Sequence, residues 1–205
     1  MLRESDEELQ MLLEVAEKFE AAKRLKGREL TRTEKAELSG KETENIIRVH
    51  LLKRGFNLSK TREFLADDDV GSMEIDLMLL GKGVDPEDVP YKPIEVRVVF
   101  EIKNNAVTDQ AARTRANFDR VKKRLRVGFA FVCLSERRSY KYRVTQENLG
   151  YPVFELVKRV ASRGPWMETR AGILAEVRRI GRDGGPTMWK TGSWDALLRY
   201  LQSLQ

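Results

Sequence analysis

The sequence predicts an α/β fold in which a mixed central sheet is flanked by helices, and three observations support this prediction. Residues 73–80 and 95–103 alternate apolar and polar side chains, as half-buried β-strands do. A helical pattern follows at about 109–125. The apolar run VGFAFVCL at 127–134 then indicates a buried strand of a mixed sheet.

Helices are predicted before these strands. Residues 5–26 repeat apolar side chains every three or four positions, which is the helical period. Thr31 and Glu34 have the spacing of a capping box and predict a second, short helix. Ser39 and Glu42 have the same spacing and predict the start of a third helix, with Glu42 as its capping residue.

The third predicted helix extends over about 39–55 and has apolar residues on more than one side. At 100° per residue, Leu51 and Leu52 fall within about 80° of Glu44, whereas Ile46 lies opposite. We therefore expect this helix to be covered on more than one side. The Glu44 carboxylate is expected to point into the core, toward the strands.

The pattern is less regular after residue 134. The stretch from Pro152 to Val160 fits either a helix or a strand, and the sequence leaves both open. Residues 168–180 have apolar side chains in helical phase. Ser193 precedes an apolar segment and predicts a helix that continues to the C-terminus.

Cysteine and histidine usage excludes several kinds of site. Cys133 is the single cysteine, so an internal disulfide and a zinc site of several thiolates are excluded; we expect a buried apolar residue there. His50 is the single histidine, which excludes most multi-histidine metal sites and favours a structural role for this residue. No apolar run approaches the ~20 residues of a membrane span, and the acidic start does not resemble a secretory signal. A cytoplasmic location with no membrane attachment is therefore expected.

The net charge of +6 is distributed unevenly along the chain. Residues 1–20 contain seven acids and two bases, whereas residues 113–126 contain seven bases and one acid. A basic second half favours a polyanionic partner, most simply nucleic acid. Solvated helix faces would give the same composition, and that alternative remains open.

Four charged residues occupy apolar surroundings: Glu44 in a helix, Asp76 in a strand, and Glu101 and Lys103 in the next strand. A buried charge costs several kcal/mol unless it is paired or bound to a metal. Because three carboxylates repel one another, a divalent cation would resolve the arrangement. Mg²⁺ takes oxygen ligands and needs only one or two carboxylates plus water.

These residues resemble the motif of the PD-(D/E)XK nuclease superfamily, and in particular its archaeal Holliday junction resolvases and small restriction-like endonucleases. The resemblance covers about 40–134, less than half of the chain. Its matching segments are Gly40-x-x-x-Glu44, then Leu51 and Gly55-Phe56, then Glu74-Ile75-Asp76-Leu77, and finally Val98-Val99-Phe100-Glu101-Ile102-Lys103-Asn104.

The resemblance implies a restriction-endonuclease-like core and a role for each matching residue. Asp76, Glu101 and the carbonyl of Ile102 are expected to bind Mg²⁺, for which Mn²⁺ can substitute. Glu44 is expected to complete the metal site directly or through water. Lys103 is expected to orient the attacking water and to offset charge on the phosphate.

Nucleic-acid contacts are expected from the helix that follows the Glu-x-Lys strand. Arg113, Arg120 and Arg124 lie within about 40° of one another on that helix, and Asn104 follows the strand. A solvated helix that keeps the protein soluble is an equally open interpretation. A different arc of the same helix is expected to pack on the sheet through Phe118, Val121 and Leu125.

The expected organisation is a helical N-terminal extension at 1–38, a nuclease core at 39–134 and a basic, largely helical extension at 135–205. The extensions would set substrate choice or form a homodimer. The function predicted is a Mg²⁺-dependent endonuclease that hydrolyses phosphodiester bonds in nucleic acid, with DNA as the favoured substrate. The alternative is a non-catalytic nucleic-acid-binding or assembly subunit on the same fold. A protein-interaction domain with an incidental basic face is a third interpretation.

Several other residues are alternatives to the proposed site residues. Glu42 competes with Glu44, but its capping spacing explains it without a functional role. Glu74 shares the predicted face of Asp76 and fits either an accessory acid or an ion pair. The three tryptophans could stack on bases, although packing is favoured for Trp166, Trp189 and Trp194.

Overall fold

The computed structural model describes residues 4–60, 63–65, 73–103, 111–123, 125–135, 144–157, 169–175 and 192–205. The chain divides into two compact units. The first comprises Met1–Glu42 with Val157–Gly192, and the second comprises Thr43–Leu156 with Ser193–Gln205. In the described part of the chain, no helix is both long and apolar enough to cross a membrane.

The first unit contains helix α1, Glu4–Lys26, and the beginning of helix α2, Arg32–Lys53. The capping box predicted at the start of α2 is confirmed. The Thr31 N–H donates to Glu34 Oε2 at 2.8 Å, and the Glu34 N–H donates to Thr31 Oγ1 at 3.3 Å. A small apolar cluster is formed by Val15, Phe19 and Leu30, with Ala22 and Leu38 packed against it.

The prediction of a separate helix starting at Ser39 is wrong, because α2 runs without interruption from Arg32 to Lys53. The segment contains no proline, and Gly40 inside a helix costs only about 1 kcal/mol. Glu42 is therefore not a capping residue. Its side chain is buried, and its Oε1 accepts a hydrogen bond from Lys18 Nζ at 2.7 Å.

The second unit is built on a mixed sheet, as the sequence predicts for an α/β fold. Within the described ranges, its strand order is β3-β4-β5-β6, and a separate antiparallel pair is formed by β1 and β2. Strand β4 pairs antiparallel with β3 and parallel with β5. The strands are β1 Glu63–Leu65, β2 Met73–Ile75, β3 Leu77–Leu80, β4 Val96–Lys103, β5 Gly128–Ser135 and β6 Val153–Val157.

Two strand predictions are refined by this topology. The single strand expected at 73–80 is two strands, because the chain bends at Asp76 and changes its pairing partner there. Ile75 accordingly lies in the same core cluster as Met78, which strict alternation would not allow. The stretch after Pro152, left open as helix or strand, is strand β6.

Helix α3, Ala111–Lys122, packs on one face of the sheet. As predicted, Phe118, Val121 and Leu125 are buried in one cluster with Val99 of β4 and Phe129 of β5, but the helix ends at Lys122, so Leu125 follows α3 rather than lying on it. The Phe118 and Phe129 ring centroids are 4.7 Å apart. The cluster also contains Cys133, which is buried as expected.

The C-terminal helix α5, Gly192–Gln202, also contacts the sheet, as does the chain just after it. Its Tyr200 hydroxyl donates to the Phe129 carbonyl at 3.1 Å. A Cβ at Gly128 would lie only 2.8 Å from the Tyr200 hydroxyl and from Leu204 Cδ1, so a glycine permits this close approach. Trp194 is buried with its ring centroid 5.3 Å from that of His50, which supports the packing role predicted for both residues.

Candidate active site

The two acids of the predicted site meet because of strand register. Leu77 pairs with Phe100 and Met78 pairs with Val99 in the antiparallel β3–β4 ladder. One further step in the same register sets Asp76 opposite Glu101. Asp76 is 8% exposed, and its Oδ2 accepts a hydrogen bond from the Ile102 N–H at 2.7 Å.

Lys103 joins the two carboxylates. Its Nζ lies 2.7 Å from Glu101 Oε1 and 3.5 Å from Asp76 Oδ2. Glu101 and Lys103 are two residues apart on β4, so their side chains project from the same face of the strand. The contact between them confirms the shared face that the alternation predicts.

Burial governs the electrostatics of this cluster. Burial, together with the negative charge of Asp76, raises the pKa of Glu101, although Lys103 and Arg113 partly offset the shift. Burial alone would lower the pKa of Lys103, but the charges of Asp76 and Glu101 outweigh it and the pKa is raised. Lys103 is therefore held as an ammonium ion by its two neighbours.

The cluster is short of positive charge. With both acids ionised, Asp76, Glu101 and Lys103 sum to −1. Burial is the main cause of the raised pKa of Glu101, and the negative charge of Asp76 adds to it. The carboxylate oxygens on neighbouring strands are the hard ligands that Mg²⁺ takes, and two carboxylates suffice for it. The donor set of Asp76 and Glu101 therefore fits a divalent cation.

Glu44 is buried in α2 at 4% exposure, as expected for a carboxylate directed inward. Across the residues that the structure describes, no three Asp, Glu, His or Cys side chains are grouped so that they could hold a metal ion. The participation of Glu44 in the site, and that of the Ile102 carbonyl, stay predictions.

The basic helix begins close to the acids. Arg113 lies in the first turn of α3, is exposed, and is near enough to Glu101 for its charge to lower the pKa of that carboxyl. Arg120, two turns further on, is exposed as well. The exposure predicted for these two arginines is confirmed. Arg124 and Asn104 lie outside the described residues.

The competing residues are placed as follows. Glu74 is exposed on β2, whereas Asp76 is buried two positions later. Trp166 and Trp189 lie outside the described residues. The proximity of Arg113 to Glu101 is not among the predictions from the sequence. The helical pattern indicates only that Arg113 lies near the N-terminus of α3.

Comparisons with known proteins give no relative for this chain. No family model matches it, and neither a curated protein nor a solved structure is significantly similar to it.

Proposed function

We propose that this protein is a divalent-metal-dependent nuclease that hydrolyses phosphodiester bonds, with DNA as the substrate. The observation that supports this most directly is the cluster of Asp76, Glu101 and Lys103. The buried carboxylate of Asp76 and the half-buried carboxylate of Glu101 face each other beside the antiparallel β3–β4 ladder, and one ammonium group contacts both. One ammonium group balances only one of the two negative charges, and a divalent cation would balance the other.

The order of elements also supports the proposal. Helix α2 is followed by the short antiparallel pair β1–β2, then by the antiparallel strands β3 and β4, by helix α3 and by β5, which is parallel to β4. Apart from the β1–β2 pair, this is the order of helix, strand, strand, helix and strand expected for a PD-(D/E)XK nuclease core. Asp76 immediately precedes β3 and Glu101 lies near the end of β4, and these are the two residues to which the resemblance assigns metal binding.

Hydrolysis joins a water oxygen to phosphorus, breaks a phosphorus–oxygen bond and adds a proton to the leaving oxygen. A divalent cation bound by Asp76 and Glu101 would lower the pKa of a coordinated water and stabilise negative charge on the phosphate. Lys103, as an ammonium donor 2.7 Å from Glu101, is positioned to orient the attacking water and to offset the same charge. Arg113 provides a second positive charge on the solvent side.

The test is cleavage of labelled single-stranded, duplex, flapped and four-way DNA with Mg²⁺ or Mn²⁺. Asp76→Asn and Lys103→Met should each abolish most cleavage while the circular dichroism spectrum is retained. Asp88→Asn is the matched control, because Asp88 is an exposed aspartate on the loop between β3 and β4. That variant should cut as fast as the wild type.

The outcomes separate the nuclease from its alternative. Cleavage that persists in folded Asp76→Asn protein would show that the site is elsewhere. Tight DNA binding with no cleavage of any substrate would favour the non-catalytic binding subunit. The absence of any DNA binding at low salt would contradict both.

A further inference from the structure

Helix α3 presents two basic stripes, and the second contains residues that the proposed site does not use. Arg115 and Lys122 are seven residues apart, or about two turns, so they lie on the same side of α3. This stripe is about 160° around the helix from Arg113 and Arg120. Both of its residues are exposed. The solvent-facing side of α3 therefore has positive charge on both flanks.

A neighbouring turn holds the second stripe in place. Helix α4, Gln146–Leu149, ends at Gly150, whose left-handed φ of 77° turns the chain toward β6. The Arg115 guanidinium lies over this turn, with its Cζ 3.6 Å from the position that a Cβ of Gly150 would take. The Lys122 Nζ lies 5.8 Å from the centroid of the Tyr151 ring, which is a cation–π distance.

Neighbouring residues hold both the ring and the hydroxyl of Tyr151 in place. Its ring centroid is 5.2 Å from that of Phe118 and 5.1 Å from that of Phe129, so the ring is anchored to the core. Its hydroxyl donates to Asp119 Oδ1 at 2.5 Å. Burial and this hydrogen bond raise the pKa of Tyr151 to about 12, so the hydroxyl remains a donor at neutral pH.

This hydrogen bond matters because Asp119 is the single acidic residue in the sequence of α3. It lies one turn from Arg115 and nearly one turn from Lys122, on the same stripe. The Tyr151 hydroxyl therefore engages one oxygen of this carboxylate, which keeps its charge but has one fewer oxygen to offer these two cations. Two cations on a rigid helix remain directed at solvent, beside an aromatic ring.

We propose that Arg115 and Lys122, supported by Tyr151, form a second contact site for the phosphate backbone of duplex DNA. This inference rests on the proposed function, because it extends the path of the substrate along α3 away from the acids. The two residues are separated by about 10 Å along the helix axis, at 1.5 Å per residue. Two cations this far apart can contact different phosphates, since each strand of a duplex has one charge for about every 3.4 Å of the duplex axis. Duplex DNA is favoured because α3 has positive charge on both flanks of its solvent-facing side and a duplex offers the phosphates of two strands.

The experiment measures binding rather than cleavage. Fluorescence anisotropy of a labelled duplex would be recorded in EDTA over a KCl series, with Asp76→Asn protein as the parent. Arg115→Ala and Lys122→Ala should each reduce the slope of log K against log salt by about 0.9, and the double variant by about twice that. Both side chains are exposed, so the variants should fold, and thermal melting would verify this.

Two further variants test whether the effect on binding comes from the local charge of the second stripe. Asp119→Asn removes the opposing charge and should tighten binding. Lys82→Ala is the matched control: Lys82 is an exposed lysine beyond the end of β3 that is remote from Asp76, and its removal should leave the slope unchanged. Equal slopes for Lys82→Ala and Lys122→Ala would overturn the proposal by showing a nonspecific effect of net charge.

The proposal and the proposed function fail differently. If the parent binds duplex DNA but the slope is unchanged in the Arg115 and Lys122 double variant, the second contact site is wrong and the nuclease assignment stands. If the parent shows no binding at low salt, both are wrong. If the slope falls only with single-stranded DNA, the stripe binds a separated strand, which overturns the duplex assignment.

Discussion

Strand β4 and helix α3 follow each other in the chain but hold their charges in opposite ways. The charges of Glu101 and Lys103 on β4 are half-buried and fixed by mutual contacts. The arginines and lysines of α3 are exposed to solvent. A half-buried charge has a defined position and a large individual effect, whereas an exposed charge has a small effect that salt can screen.

The largest expected effect concerns the half-buried charges of β4. Glu101→Gln should reduce the cleavage rate by about 100-fold or more, because it removes a carboxylate ligand. The same change should not lower the stability of the metal-free protein. Burial and Asp76 both disfavour the charge of Glu101, as its raised pKa shows, so neutralising the side chain relieves repulsion. Cleavage assays and urea unfolding would measure the two effects.

That prediction has a clear counter-result. If Glu101→Gln lost stability and activity together, the carboxylate would be primarily a structural partner of Lys103. Glu95→Gln provides a comparison. Glu95 immediately precedes β4, accepts a hydrogen bond from the Lys92 N–H and lies away from the cluster. This variant should leave the cleavage rate unchanged.

A second, smaller effect concerns the cation of the cluster. Lys103→Met leaves Asp76 and Glu101 facing each other without an ammonium group. We expect a loss of about 1–2 kcal/mol of stability in EDTA, less than for a fully buried pair because the Lys103 side chain is 30% exposed. Added Mg²⁺ should raise the melting temperature of this variant. A melting temperature unaffected by EDTA or Mg²⁺ would contradict metal binding at the acids.

Variants of Arg113 and Arg120 distinguish the effect of proximity to the acids from the effect of positive charge alone. Both arginines are exposed on one stripe of α3, but of the two only Arg113 affects the pKa of Glu101. Arg113→Ala should lower the cleavage rate at saturating DNA several-fold and also weaken binding. Arg120→Ala should weaken binding to a similar extent, with a slope change of about 0.9, and leave the saturated rate intact. Identical kinetics for the two variants would remove Arg113 from the reaction.

The smallest effect is expected at an exposed charge cluster in the first unit. Glu34 accepts hydrogen bonds from Arg28 at 2.9 Å and also pairs with Lys26, and the hydrogen bonds from these bases lower its pKa. A lowered pKa means that the stabilisation is complete above the ordinary glutamate pKa and is lost progressively as the pH falls from that value toward the lowered pKa of the folded protein. Glu34→Gln should therefore lower the melting temperature slightly at pH 7. Thermal melts below about pH 4 should show a smaller difference.

The sequence predicted the acid cluster better than the helix boundaries, because the two depend on contacts at different separations along the chain. Alternation along β4 is local, so the shared face of Glu101 and Lys103 could be inferred. The capping spacing of Ser39 and Glu42 is also local, but the partner of Glu42 is Lys18, 24 residues away, and no pattern indicates it.

The second stripe shows the same limit. The bond from Tyr151 to Asp119 joins residues 32 apart, and it depends on the turn at Gly150. The bend at Asp76 was missed for a related reason. Residues 73–80 form one regular pattern, and only pairing with two different partners divides it.

The shortness of β3 determines where the chain can change in length. Three paired positions, from Leu77 to Leu79, hold Asp76 in register with Glu101 before the ladder shifts at Leu80. One residue inserted between Asp76 and Leu79 would turn the acid to the opposite face of the sheet. An insertion after Glu87 falls in an exposed loop that can absorb it. That loop is therefore the place for a reporter or an affinity handle that leaves the acids aligned.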